Sequence, residues 1–262
     1  MTIPSIDVTI VGFNEEDILP FTFRHYCQFA RRIRYWDAFS TDRSREIAKS
    51  YGVEIFDWST DGLNDMSSKI LKSNDWKYPN EVDRADWHIT ADSDELIFFP
   101  EGVENTLANY DARQIPFVRT RGFEMLSDTM PDTTGQIYDQ IYMGGVDDRW
   151  YGKPSLFAPK RLLNVDYEVG AHACTFTKIN GYSEKITGGG PIPTPATEPP
   201  TYLLHYHHIG GVDRIARRYD ATRQRLSKLN VNNRWGNFDP GIVHAQDKRK
   251  AIMSTLKRVV QF

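Results

Sequence analysis

Cysteine is scarce: Cys27 and Cys174 are the two in 262 residues, and they form no Cys-x-x-Cys pair. That excludes a disulfide framework and a cysteine-ligated zinc site, and each thiol reads as a small buried side chain. Long apolar runs are missing too. No stretch approaches the roughly 20 apolar residues that cross a bilayer. The opening MTIPSIDVTIVGFNEE has no basic segment ahead of its short apolar one, so a cytoplasmic protein is the expectation. Internal repeats are absent, and no array of repeated units is expected. What is present, 40% hydrophobic and 26% charged residues, is the composition of an ordinary globular protein with no sign of disorder. One domain over residues 1–262 follows from that length.

Charge of one sign is lacking locally rather than globally. Residues 211–262 hold 12 Lys/Arg against 4 Asp/Glu, which leaves the first 210 residues with 20 against 31. An acidic body of that kind argues against a nucleic-acid groove. The basic tail can meet phosphates, an anionic membrane surface or the acidic body itself.

Residues 6–13, IDVTIVGF, read as a buried strand, and Asn14-Glu15-Glu16-Asp17 then opens a helix to about residue 26 or 29. Arg34-Tyr35-Trp36 is a short strand, Ser40-Thr41-Asp42 supplies capping side chains, and residues 43–51 form a helix stopped near Gly52. A strand at 53–56, helical residues at 67–73 and a strand at 87–91 complete a β/α alternation, the pattern of a doubly wound and largely parallel sheet. Short strands at 114–121 and 156–158 follow. The Gly- and Pro-rich stretch 188–200 predicts a flexible loop, and two helices close the chain at 212–229 and 245–260.

The strand at 87–91 runs into Asp92-Ser93-Asp94-Glu95. In open α/β sheets ligands bind outside the carboxyl ends of the strands, which is where these acids fall. Two carboxylates one residue apart on an extended segment point the same way, so Asp92 and Asp94 are expected to share a hard divalent cation, Mn²⁺ or Mg²⁺.

Three segments in order, Val11-Gly12-Phe13-Asn14-Glu15-Glu16, Tyr35-Trp36-Asp37-Ala38-Phe39-Ser40-Thr41-Asp42 and Trp87 through Glu95, resemble the glycosyltransferases of the GT-A fold, particularly the family 2-like branch. The resemblance covers the first 100 residues well and the rest loosely. It implies an α/β fold with a nucleotide-binding mixed sheet flanked by helices, an acceptor-side extension over 101–210 and C-terminal helices over 211–262. It implies transfer of a sugar from a nucleotide-diphosphate donor, most simply a UDP-sugar, to a glycan or lipid-linked glycan. By the same resemblance Asp37 contacts the base, Glu15 lies under the nucleoside, Asp92 meets the ribose or a metal-bound water, and Asp94 is a metal ligand. The family's Glu-Asp motif for a catalytic base is not found later in this chain.

In Leu203-Leu204-His205-Tyr206-His207-His208 the strand period puts His205 and His207 on one face. The resemblance favours His205 as a further metal ligand, with His207 second. His172, in a small-residue setting, is a candidate for phosphate or acceptor binding, and Arg149 or Lys153 for the leaving diphosphate. Glu124, Asp147 and Asp148 are the candidates for a base that takes the acceptor proton, with Glu124 and Asp148 retained. In the helix from Val212, Ile215, Tyr219, Leu226 and Leu229 form the apolar stripe, and Arg214, Arg217, Arg218 and Arg225 read mostly as a solvated margin. The last helix sets Ile252, Leu256 and Val259 against Lys248, Arg249, Lys250, Lys257 and Arg258, a pattern that allows peripheral membrane contact. Two other functions fit the same clusters: a metal-dependent phosphoesterase, and a non-catalytic sugar- or nucleotide-binding module.

Overall fold

The computed structural model describes residues 4–77, 80, 83–146, 152–186, 200–236 and 238–261. Strand β1 (Ile6–Gly12) is central and almost wholly buried. Ile6, Val8 and Ile10 alternate onto one face, where they share a core with Leu19, Phe23 and Tyr26 of helix α1 (Leu19–Tyr26). Strand β2 (Arg32–Asp37) pairs with β1, and helix α2 (Ser44–Ser50) leads to strand β3 (Glu54–Asp57) on the far side of β2. Helix α3 (Lys69–Asn74) then returns the chain to strand β4 (Trp87–Asp92), which pairs with β1 on its other side. All four strands are parallel, as the alternation over the first 100 residues predicts.

The other face of β1 is polar although buried. Thr9 bonds Asp75, whose carboxylate also takes Arg34 Nε and Trp36 Nε1, each at 2.9 Å. Asp75 directly follows α3, so this network ties α3 to the sheet and sets where Lys72 points. Buried polar groups of this kind are stable only when partnered, and here they partner one another.

Past β4 the chain turns at Ser93 and Asp94 into strand β5 (Glu95–Phe98) and helix α4 (Val103–Ala112). Strands β6 (Phe117–Val118) and β7 (Arg121–Leu126), helix α5 (Ile137–Gln140), and strands β8 (Met143–Gly145) and β9 (Leu156–Phe157) follow. Next come strands β10 (Leu162–Tyr167), β11 (Cys174–Lys178), β12 (Ser183–Ile186) and β13 (Tyr202–His208). Helices α6 (Val212–Gln224), α7 (Lys228–Asn233) and α8 (Gly241–Ser254) and strand β14 (Lys257–Arg258) end the chain. The described strands make three sheets, β3-β2-β1-β4-β9-β6, β14-β8-β7-β13-β5 and β10-β11-β12. In the first, β9 runs antiparallel to β4, so the expected mixed α/β architecture is present.

Three elements differ from expectation. The strand expected at 114–121 is split into β6 and β7, because Thr120 bonds the Lys153 backbone through both its N–H and its hydroxyl, and the chain changes sheet there. The helix expected to reach Leu229 stops at Gln224, and Ser227 restarts it as α7 by capping the Asn230 N–H. The last helix ends at Ser254: Thr255 takes the Val146 N–H at 2.5 Å, and Lys257 and Arg258 pair with β8. Lys257 and Arg258 thus leave the helix that was to present them to a membrane, and Arg249 pairs with Asp128 at 2.7 Å. Among the described residues no helix is long and apolar enough to cross a membrane. The loop expected at 188–200 falls, except for Pro200, outside the described residues.

Candidate functional site

Two of the quoted motifs clasp each other at the carboxyl ends of β1 and β2. Asn14, with φ 53°, stands in the left-handed region that asparagine tolerates better than most residues. Its N–H and those of Glu15 and Glu16 donate to Ser40 Oγ, Ser44 Oγ and Asp42 Oδ2 at 2.8–3.0 Å. Asn14 Oδ1 accepts from Thr41 N–H at 2.7 Å, and Glu16 from Arg43 N–H at 3.0 Å. These bonds consume the capping side chains, so α1 begins only at Leu19 rather than at Asn14.

The β4–β5 turn is fastened to the same place. Ser93 Oγ donates to the Val11 carbonyl at 2.9 Å, and Thr22 Oγ1 to the Ser93 carbonyl at 2.5 Å. A Cβ on Gly12 would lie 2.3 Å from Ser93 Oγ, so glycine is what lets the turn close on β1.

That turn separates the two aspartates. Ser93 and Asp94 form the turn, so the rule that alternate residues share a face does not carry across them, and the two carboxylates meet different partners. Asp92 is held by Lys72 Nζ at 2.5 Å and Lys153 Nζ at 3.0 Å. Burial raises its carboxyl, but the charges of Lys153 and Lys72 outweigh that and hold it far below the usual carboxylate range. Lys153 is in turn held protonated by Asp92 and Glu95 against the burial that disfavours its charge.

Asp94 instead faces the histidine strand. In the second sheet β13 lies between β5 and β7, with His205 in register with Glu95 on one side and Glu124 on the other. Asp94 Oδ1 is 3.4 Å from His205 Nε2, and Asp94 Oδ2 is 3.0 Å from His207 Nδ1 and 3.3 Å from Arg218. Burial opposes ionisation of Asp94, yet His205, His207 and Arg218 together hold its carboxyl well below the ordinary range. Glu124 Oε1 is 2.5 Å from His205 Nδ1. Burial would deprotonate His205, but Glu124 and Asp94 raise it well above its ordinary value. Burial and then Arg218 push His207 down to about 4, while burial pushes His208 down to about 3.

Asp94, His205 and His207 offer ligand atoms that all lie within 4.8 Å of one another. Nδ1 of His205 is engaged by Glu124 and Nδ1 of His207 by Asp94, and His207 Nε2 is buried with no partner. A proton on His207 Nδ1 leaves that ring's Nε2 lone pair free, whereas His205, held protonated between Glu124 and Asp94, must give up its Nε2 proton before it can ligate. One carboxylate and two such imidazoles fit a divalent cation of the Mn²⁺ or Zn²⁺ kind.

Two cavities lie in this region, the larger lined by His205 and His207 and the smaller by Glu15, the partner of Arg218. One, of about 270 Å³, lies over the carboxyl ends of β1, β2 and β4, with Gly12, Glu15, Ala38, Trp58 and Asp92 in its walls. Residues 64–66 and the α6–α7 corner border it: Asn64 N–H donates to the Arg225 carbonyl, and buried Asn230 bonds both the Asn64 carbonyl and the Met66 N–H. Arg225 stacks over the Phe13 ring at 4.0 Å. Asp37, expected to touch a base, is fully buried and bonded to Ser40 N–H and Arg45. The second cavity, about 850 Å³, has Glu124, Lys153, His172, His205, His207 and His208 in its walls. Met66 borders both.

Of the expected site residues, the structure gathers Glu15, Asp92, Glu124, Lys153, His172 and His205 around these cavities and sets Asp94 against His205. Asp147, Asp148 and Arg149 lie outside the described residues. Sequence reasoning missed Lys72 and Arg218. For Lys72 no local signal exists. Arg214, Arg218 and Arg225 do recur at helical spacing, which marks one face. Rather than a solvated margin they turn inward, Arg214 onto Asp17 at 3.3 Å and Arg218 onto Glu15 at 2.9 Å.

No family model and no curated protein matches this chain. Solved structures similar to it include mannosyl-3-phosphoglycerate synthase from Rubrobacter xylanophilus, with 16% identity over 45% of this chain and 40% of that one and a TM-score of 0.31. Another is glucosyl-3-phosphoglycerate synthase from Mycobacterium tuberculosis in complex with Mn²⁺, UDP and glucosyl-3-phosphoglycerate, with 12% identity over 46% and 44% and a TM-score of 0.28. A third is S. aureus TarS 1-349 in complex with UDP, with 13% identity over 61% and 48% and a TM-score of 0.37. The matched part of this chain spans less than half the length of each of these structures.

Proposed function

We propose that this chain is a metal-dependent glycosyltransferase of the GT-A kind, moving a sugar from a nucleotide-diphosphate donor, in the first instance a UDP-sugar, to a hydroxyl of a glycan or lipid-linked glycan. The observation that carries this reading is the convergence of Asp94, His205 and His207 at the turn after β4, beside a cavity over the carboxyl ends of parallel strands. That is where an open α/β sheet binds ligands.

In this reading the smaller cavity takes the nucleoside, with Trp58 and Phe13 as its aromatic walls and Glu15 beneath. Asp94, His205 and His207 would hold the cation, and the two imidazoles favour Mn²⁺ over Mg²⁺ there; when bound it would supply Lewis-acid stabilisation of the leaving diphosphate. Lys72 and Lys153, fixed on either side of Asp92, bring positive charge to the same leaving group. The acceptor occupies the larger cavity, its oxygen bonding the anomeric carbon as the bond to the diphosphate breaks, with its proton passing to solvent water in that open cavity and the bonding electron pair leaving on the diphosphate. Glu124 serves as a positioning residue for His205 rather than as the base, because its oxygens face His205 and His208.

Calorimetric titration of UDP, GDP, CDP and dTDP, each with and without Mn²⁺, tests the reading on wild type and Asp94→Ala. One nucleotide binds with metal dependence, and the variant loses that dependence while keeping its fold. Mn²⁺ binding with no affinity for any nucleotide, together with phosphate-ester hydrolysis, would instead favour the phosphoesterase.

A further inference from the structure

Arg218 stands 124 residues from the acid turn in sequence, yet its Nη2 lies 2.9 and 3.0 Å from the two Glu15 oxygens and 3.3 Å from Asp94 Oδ2. Its Nη1 is buried and has no hydrogen-bond partner. Asp94 is thereby fully engaged: Oδ1 faces His205, and Oδ2 meets both His207 and Arg218. A divalent cation arriving at Asp94, His205 and His207 meets an internal cation already on the carboxylate it needs.

We propose that Arg218 couples cation binding to diphosphate binding, an inference that rests on the reading of the site as one for a nucleotide-diphosphate sugar. Glu15 gives Arg218 two acceptor oxygens that do not depend on Asp94, so the guanidinium keeps a partner when it leaves that carboxylate. A diphosphate offers the forked acceptors that a guanidinium matches best, and Nη1 has donors to spare. Glu15 and Asp92 both border the smaller cavity, so a diphosphate lying between nucleoside and cation passes within reach of Arg218. Without donor, Arg218 neutralises Asp94. With donor, Arg218 moves onto phosphate oxygens and Asp94 is released to the cation. Each ligand then strengthens the other by the same factor.

The test is a Mn²⁺ titration followed by the electron paramagnetic resonance of the free ion, with and without saturating UDP, on the full chain. Wild type is expected to bind Mn²⁺ about tenfold more tightly when UDP is present. In Arg218→Gln, Mn²⁺ alone binds more tightly than to wild type, and the factor falls below the wild-type value to what direct contact between cation and diphosphate supplies. Mere removal of a positive charge would tighten Mn²⁺ binding equally with and without UDP, leaving the factor unchanged; that result overturns the proposal. So does weaker binding of Mn²⁺ alone by a variant whose circular dichroism is native. Should Arg218→Gln not fold, Glu15→Gln leaves Asp94 as the sole carboxylate beside Arg218: Mn²⁺ alone then binds more weakly and the factor grows, and an unchanged factor overturns the coupling. Wild type that binds no UDP under any condition overturns the proposed function itself.

Discussion

Glu124 is 2.5 Å from His205 Nδ1 and 3.7 Å from His208 Nε2, and it is almost fully buried. A carboxylate so placed fixes a ring and its tautomer. Glu124→Gln should therefore weaken Mn²⁺ binding by about 10–100-fold, the usual effect of losing a partner behind a ligating histidine. Were Glu124 the base, the variant would keep its Mn²⁺ affinity and lose only turnover; a Mn²⁺ titration beside a transfer assay separates the two. Asp94 and His205 were legible as residue types in a suggestive context, and the structure sets them together. The pairing of Asp92 with two lysines was not, because Lys72 and Lys153 come from segments 20 residues before and 61 residues after it. Arg218 was written in its spacing with Arg214 and Arg225, but helical spacing says which residues share a face and not what that face meets.

At the scale of elements, the clasp between residues 14–16 and 40–44 decides where α1 begins and shapes one side of the smaller cavity. Asn14→Ala puts an ordinary side chain at φ 53° and removes the bond to Thr41 N–H. A loss of about 1–3 kcal/mol is expected from such a residue. Asn14→Gly keeps the backbone conformation and should lose less; urea melts of both check this, and equal losses would mean the left-handed backbone contributes nothing. The β/α alternation of the first half was legible because each strand there pairs with a neighbour set by short crossovers. The second sheet was not: β13 joins β5 to β7 across more than 80 residues, and β14 pairs with β8 from the far end of the chain. Pairings of that range leave no local pattern to read.

Across the whole molecule, buried imidazoles set the response to acid. His25 lies in the core with its Nε2 at 2.9 Å from the Ile97 carbonyl, and burial pushes it from 6.5 down to about 4. Between those values the unfolded chain takes up a proton that the folded chain refuses. Stability is therefore intact above pH 6.5 and falls as pH drops toward 4, by roughly 3 kcal/mol for this one side chain. His88, which burial holds well below its ordinary value, adds in the same direction. Urea unfolding at pH 7 and pH 4.5 should show the loss, and His25→Gln should flatten it; equal stability at the two pH values would mean His25 takes a proton in the fold. The fold thus brings distant segments to one site: the acid turn from the first sheet, the histidines from the second, and Arg218 from α6.

The most direct test of that assembly is a crystal of the chain grown with Mn²⁺ and UDP and measured for manganese anomalous scattering. The account predicts one peak, within bonding distance of Asp94, His205 and His207 together, with the uridine in the cavity bordered by Gly12, Trp58 and Asn64. A peak bridging Asp92 and Asp94 without either imidazole, or UDP bound elsewhere, would contradict it.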